Sequence, residues 1–349
     1  MSNKITYLFG AGASANAVPT VNELAQCASS LCELIQSDYS AGSDLQAMLL
    51  TLSEQASAKM SIDTYAKVLY LKGDLLQLDE LKLSLLVFFS LWQTKRRHEH
   101  QMKIGANLAT EKPVKMFLDN RYENFFASLF DDRAKILDHV KIITWNYDCQ
   151  MEMTLYSMMR SSVDRSKVTP EVLRSEFGIL EKLSDDNHIA ASGIAKLNGS
   201  ATLNNNIFIP QYRFPESYEP HDFKTLCKYL QEVITTFRLN RRNDPRIGIS
   251  FAWEQKESQQ NNLTKLFIDK IKKMIEGTTE LVVIGYSFPM FNRNVDRELF
   301  GNIPLQRIHI QDPNATSIKD RMGAIRRHAV PDKVNLSTDT YQFLFPESL

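Results

Sequence analysis

The chain has 349 residues, 43% of them hydrophobic and 23% charged, enough to bury a large core without disulfides or metals. Lys plus Arg and Asp plus Glu both number 41, so no net field draws a polyanion and direct nucleic-acid binding is not expected. Cys27, Cys32, Cys149 and Cys227 have neither the spacing of a zinc knuckle nor the density of a disulfide framework, which fits a reducing cytoplasm.

The N-terminal run leads straight into a glycine turn and lacks a signal peptide's apolar region and cleavage site. Ile5–Phe9 predicts a strand buried on both faces, ending at Gly10. Thr20, with Glu23 three residues on, predicts the start of a helix. From Val21 to Phe130 apolar residues recur at helical spacing, as in Tyr65, Val68, Leu69 and Leu75, Leu76, Leu78, and Ile104–Lys112 reads as an exposed loop. Within this segment Leu81–Trp92 is apolar but broken by Lys82 and Ser84, and too short to cross a bilayer. Strands are then predicted at Val140–Thr144, Ile194–Leu197, Asn206–Pro210 (in a hairpin through Asn204-Asn205), Ile247–Ala252, Leu281–Ile284, Arg307–Gln311 and Val334–Ser337. Helices are predicted at Cys149–Met159, Leu226–Phe237, Leu263–Ile275 and Ile318–Arg327. This alternation implies an α/β, Rossmann-like parallel sheet covered by helices on both faces. The expected organisation is one domain over residues 1–349, with a large helical insertion, residues 21–130, after the first strand.

Ligands of such sheets bind beyond the carboxyl ends of the strands, so the strand exits carry the candidates. Gly10-Ala11-Gly12-Ala13-Ser14 follows the first strand; Gly10 permits a tight turn and Gly12 a close approach of backbone amides to a pyrophosphate. The third glycine of the usual dinucleotide fingerprint is missing, so this loop alone reads equally well as an ordinary turn. Thr144-Trp145-Asn146-Tyr147-Asp148 follows the second strand. Asn146 offers a donor and an acceptor to ribose hydroxyls or a water, yet Asn146 and Asp148 are also common caps of a following helix. Gly285-Tyr286-Ser287-Phe288-Pro289 and Asp312-Pro313-Asn314 repeat the pattern. There Ser287 suits a phosphate or ribose, Tyr286 suits a ring, and Asp312 and Asn314 suit an adenosine ribose.

Taken in order, Gly10–Ser14 with Val18-Pro19, Thr144–Asp148, Leu197-Asn198-Gly199-Ser200, Gly285-Tyr286-Ser287 and Asp312-Pro313-Asn314 resemble the motifs of the sirtuin superfamily. The Trp-Asn-Tyr-Asp and Gly-Tyr-Ser-Phe-Pro forms look most like the bacterial sirtuin-like proteins of anti-phage defence, which act as NAD-degrading effectors. The lack of paired zinc cysteines sets the chain apart from the deacylase branch, and no metal is expected. The family's catalytic histidine stands where this chain has Asn198, which cannot act as a general base near neutral pH. His188, ten residues upstream, reads best as an ordinary loop histidine.

The resemblance implies NAD as substrate and cleavage of its nicotinamide–ribose bond through an oxocarbenium-like state. It implies pyrophosphate on Gly10, Ala11, Gly12 and Ser14, and adenosine held by Ser287 and Asn314. Pro19, Thr144, Gly285 and Asp312 complete the binding set. Asn146 would position water or ribose, Asp148 would face nicotinamide, and Asn198 would occupy the base position. It also implies a homo-oligomer and a separate ATPase or nucleotide-sensor partner. An NAD hydrolase of abortive infection ranks first, a weakly catalytic NAD or ADP-ribose sensor or scaffold second, and a deacylase third.

Overall fold

The computed structural model describes residues 3–38, 43–58, 61–106, 118–160, 170–182, 193–203, 223–239, 247–254, 260–326 and 330–349. The expected strand Asn206–Pro210 and His188 lie outside these residues.

The chain divides into two compact units. The first comprises Met1–Ala13, Asn120–Ser200 and Ser250–Leu349. Its core is a parallel seven-stranded sheet built from β1 (Ile5–Phe9), β2 (Val140–Thr144), β3 (Ile179–Glu181), β4 (Ile194–Lys196), β7 (Glu280–Ile284), β8 (Arg307–Gln311) and β9 (Lys333–Ser337). The strand order is β3-β4-β2-β1-β7-β8-β9. Without the edge strand β3, this is the 3-2-1-4-5-6 order of dinucleotide-binding sheets, with the order reversing between β1 and β7. The helices of this unit are α5 (Asn120–Leu129), α6 (Gln150–Arg160), α7 (Pro170–Phe177), α9 (Gln260–Met274), α10 (Arg293–Phe300) and α11 (Ala315–Gly323). The fold class is therefore α/β and Rossmann-like, as the sequence predicts. Every residue of β1 and β7 is buried, which explains why both read as largely apolar runs, with Thr6 and Glu280 the polar exceptions.

The second unit comprises Ser14–Asp119 and Ala201–Ile249 and is largely helical. It contains α1 (Leu24–Asp38), α2 (Ser43–Ala58), α3 (Ile62–Leu71), α4 (Leu75–Ala106) and α8 (Phe223–Leu239). In α4 the run from Leu81 to Trp92 is buried all round, and Lys82 reaches Asp79 at 3.7 Å. Among the described residues no helix is long and apolar enough to cross a membrane. The Thr20 turn forms as expected: the Glu23 carboxylate accepts from the Thr20 amide at 2.8 Å, one turn before α1. Residues 104–106, expected to begin a loop, instead continue α4.

Two further differences concern strand exits. Gly199 does not simply end β4; with φ +66 it turns the chain directly into β5 (Gly199–Leu203). The predicted strand at Ile247–Ala252 shortens to β6 (Ile247–Ile249), which pairs with β5 in a separate two-stranded sheet.

Candidate functional site

Parallel pairing sets the carboxyl ends of the strands in one row. In register, Lys196 of β4 faces Thr144 of β2, Thr144 faces Phe9 of β1, Phe9 faces Ile284 of β7, and Ile284 faces Gln311 of β8. The motif residues Asn198, Asn146, Gly10, Gly285 and Asp312 lie one or two positions beyond these ends, so five strand exits share one edge of the sheet.

At the reversal between β1 and β7 two backbones touch. Gly10 N donates to Ile284 O and Gly12 N to Gly285 O, each at 3.0 Å. A Cβ on Gly10 would lie 2.5 Å from Gly285 O, and one on Gly12 would lie 2.8 Å from Gly285 Cα. Gly285 itself has φ +61, and its Cβ would lie 2.5 Å from Ala13 N. The three glycines are thus required by one backbone crossing, a local reason independent of any ligand. The Ala13 amide returns to Gly10 O at 2.9 Å, closing the short 3-10 turn Ala11–Ser14. Ala11 is exposed, and among the described residues its amide takes no part in these bonds.

Asn146, Asp148 and Asn198 are all buried. The Asn146 amide donates to Gly10 O at 2.9 Å, binding the β2 exit to the glycine turn. Asp148 Oδ1 accepts from the Gln150 amide at 2.9 Å and starts α6, so the capping alternative describes Asp148 but not Asn146. Asn198 spans three exits. Its Nδ2 donates to Trp145 O at 3.0 Å, its Oδ1 accepts from Ala252 N at 3.3 Å, and its carbonyl accepts from Ser250 N at 2.9 Å.

Beneath Asn198 lies a buried ionic cluster. Lys196 pairs with Glu152 of α6 and donates to Asp148 O at 2.8 Å. Burial opposes its charge, but Glu152, with Cys149 and Glu181 nearby, outweighs that and raises the Lys196 pKa. The Ser200 hydroxyl lies within hydrogen-bond reach of both Glu152 and Glu181, and Arg174 approaches Glu181 at 3.5 Å. The cluster anchors the Asn198 turn to the helix that Asp148 begins.

A second buried group joins the β2 and β7 exits. Asp296 of α10 is fully buried. Its Oδ1 accepts from Trp145 Nε1 at 3.2 Å and its Oδ2 from the Tyr286 hydroxyl at 2.8 Å. Burial pushes the Asp296 carboxyl up to about 8, against the lowering effect of the Tyr286 and Trp145 bonds. The Trp145 and Tyr286 rings stack with centroids 5.8 Å apart, so the ring partner of Tyr286 is supplied by the protein. Phe288, two residues on, has φ +49 and packs edge-on against Tyr286. A left-handed backbone at a bulky residue costs roughly 1–2 kcal/mol and is held here by that packing.

The other candidates lie further out. Ser287 is exposed, and its carbonyl accepts from Arg321 at 3.1 Å. Asp312 Oδ1 accepts from Asn314 N at 2.8 Å, which shapes the start of α11. Thr144 is buried, and its hydroxyl accepts from the Asn146 amide at 3.0 Å. Ser14 and Pro19 belong to the second unit, where the Ser14 carbonyl accepts from Ala17 N and Val18 N. Among the described residues no cluster of three or more His, Cys, Asp or Glu is placed to hold a metal.

Three residues that sequence reasoning passed over hold this edge together: Asp296, Glu152 and Arg121. Arg121 of α5 donates to Ala13 O at 3.0 Å and to Thr340 O at 3.1 Å, and its guanidinium lies 4.9 Å over the Phe343 ring. It clamps the glycine turn to the C-terminal segment, which Gln311 also holds through Asp339 O and Leu344 N. The available signal was a charge inside an apolar helical stripe. Arg121 precedes Tyr122, Phe125, Phe126 and Leu129, and Asp296 falls among Val295, Leu299 and Phe300. Compared with known proteins, the chain matches no family model and no curated protein.

Proposed function

We propose that this chain binds NAD at the β1/β7 reversal and hydrolyses its nicotinamide–ribose bond, as an effector of anti-phage abortive infection. The supporting observation is the in-register row of exits Asn198, Asn146, Gly10, Gly285 and Asp312 on a 3-2-1-4-5-6 sheet. In this reading the backbone amide of the exposed Ala11 is the turn's donor to a phosphate. Nicotinamide leaves as a neutral molecule from a cationic ring, so the reaction needs orientation and charge stabilisation more than strong acid catalysis. Asn146 and Asn198 fix the β2 and β4 exits where ribose and water would be placed. The cytoplasm is the proposed location, and a homo-oligomer working with a separate ATPase or nucleotide sensor is the proposed assembly.

One observation favours a second reading, a sensor or scaffold that binds NAD or ADP-ribose without turnover. Both polar atoms of the Asn198 side chain are already bonded to backbone. A general base is typically worth about two to four orders of magnitude in rate, and this position supplies none. Nicotinamide release from NAD by the purified full chain, alongside calorimetric NAD binding, separates the readings. Release that disappears in Asn146→Ala supports hydrolysis at this edge. Binding without release supports the sensor, and neither binding nor release sinks both.

A further inference from the structure

Among the described residues, Asn292 Oδ1 is buried without a hydrogen-bond partner, although Asn292 Nδ2 donates to the Tyr286 hydroxyl at 3.2 Å. Asn292 is 4% exposed, so water does not readily satisfy that oxygen. The same Tyr286 hydroxyl donates to Asp296 Oδ2. Asn292, Tyr286 and Asp296 therefore form a chain in which each link has a donor and an acceptor sense.

We propose that Asp296 is the positioning residue of this edge, tying the Trp145 and Tyr286 exits together through two alternative hydrogen-bond patterns selected by its protonation. With the carboxyl ionised, Tyr286 donates to Asp296 Oδ2 at 2.8 Å and Asn292 Nδ2 donates to the Tyr286 oxygen at 3.2 Å. When a proton from solvent is bound at Oδ2, the carboxyl donates to the Tyr286 oxygen. The Tyr286 hydrogen then needs a new acceptor. A half-turn of the Asn292 amide brings the unpartnered Oδ1 to it and carries Nδ2 into the place Oδ1 leaves, so the Asp296–Tyr286–Asn292 links are bonded in both patterns. One O–H bond is made at Asp296 and none is broken elsewhere in the protein.

The groups around the carboxyl leave this chain in control of its state. The β2 exit contributes Trp145, the β7 exit Tyr286 and the short turn Met290–Asn292 contributes Asn292. On α10 itself, Arg297 donates to Ala324 O, and Glu298 pairs with Lys272 of α9, which also approaches Asp269. Arg293, at the start of α10, is the remaining cation of that helix. Among the described residues no charged group enters the ionisation of Asp296; burial dominates, opposed by Tyr286 and Trp145. The switch reaches the candidate site through the backbone, since Trp145 precedes Asn146 and its carbonyl accepts from Asn198. Its effect on nucleotide affinity rests on the function proposed above; the switch itself does not.

The test is a pH titration of indole fluorescence in the full chain without nucleotide, from about pH 6 to about pH 10. The wild-type protein is expected to show a transition near pH 8 that Asp296→Asn and Trp145→Phe each remove. Tyr286→Phe, a second variant that keeps the carboxyl itself, should move the midpoint upward because the carboxylate loses a donor. A transition that survives Asp296→Asn, or a midpoint unmoved by Tyr286→Phe, overturns the assignment. NAD affinity measured near pH 7 and near pH 9 should then differ about fivefold or more in wild type and not in Asp296→Asn. A fluorescence transition with no NAD binding at either pH sinks the proposed function and leaves the switch standing. NAD binding with no transition does the reverse.

Discussion

Gly285→Ala tests whether the glycines at the β1/β7 reversal are there for a backbone crossing. Gly277 supplies the control, because both residues lie in the sheet unit with left-handed backbone, φ +61 and φ +78. A Cβ at Gly277 would meet nothing within 4 Å, whereas one at Gly285 would lie 2.5 Å from both Ala13 N and Gly12 C. Left-handed backbone costs an L residue roughly 1–2 kcal/mol, so that alone is expected in Gly277→Ala. Gly285→Ala adds steric overlap with backbone that cannot rotate away, worth about 1–3 kcal/mol more. In thermal melts of a unit this size, each kcal/mol corresponds to about 2–4 °C. Gly285→Ala should therefore melt several degrees below Gly277→Ala and, under the proposed function, lose the nucleotide binding that Gly277→Ala would keep. Equal melting temperatures would refute the crossing as the reason for these glycines.

Lys196→Met should destabilise the chain by about 3–5 kcal/mol by leaving Glu152 buried and unpaired; in denaturant unfolding, Lys196→Met with Glu152→Gln should recover part of that loss. The Asp296 contribution to stability should fall as pH rises from about 4 towards about 8, since its folded carboxyl is raised above the unfolded value of 3.8 and that contribution is complete only below 3.8; the buried Asp63 carboxyl, raised to about 6, adds to the lower part of the same limb. Asp296→Asn should flatten this limb of the unfolding profile, and a limb of unchanged slope would assign the effect elsewhere. Asn198→His should cost about 1–3 kcal/mol, because a larger, rigid ring must enter a buried site fitted to the amide's bonds to Trp145 O and Ala252 N. If nicotinamide release nevertheless rises about a hundredfold or more, position 198 is the base position; an unchanged rate places the base elsewhere.

The sheet was legible because its buried parallel strands are short runs rich in aliphatic residues, unbroken as in Leu281–Ile284 or alternating with polar ones as in Arg307–Gln311. Ile5–Phe9, Val140–Thr144, Leu281–Ile284 and Arg307–Gln311 each pair as strands at or within a residue of those limits. The edge strand β3 was not, since three residues, Ile179–Glu181, carry no period. The exits were legible as a set, through Gly10, Asn146, Asn198 and Gly285, but their roles were not. Whether an asparagine faces a ligand, caps a helix or braces a neighbouring loop depends on which exits the sheet order makes adjacent. Sequence spacing does not encode that adjacency: Asn146 and Gly10 are bonded across 136 positions. Asp296 and Arg121 were legible in principle, as charges within apolar helical stripes, because burying a charge requires partners that the rest of the fold must supply.

The bracing also bears on which reaction this edge suits. Asn146 and Asn198 each spend a side-chain amide on a neighbouring backbone carbonyl, so the β1, β2 and β4 exits are held to one another before any ligand arrives. Under the proposed function, such cross-linking would suit a reaction limited by orientation, where a held ribose and a leaving group that is already cationic do most of the work. Under the proposed function, the amide at position 198 therefore gives up base strength and adds rigidity. The expected consequence is a slow cleavage that responds to whatever moves Trp145, since the Trp145 carbonyl is bonded to Asn198 and its indole to Asp296.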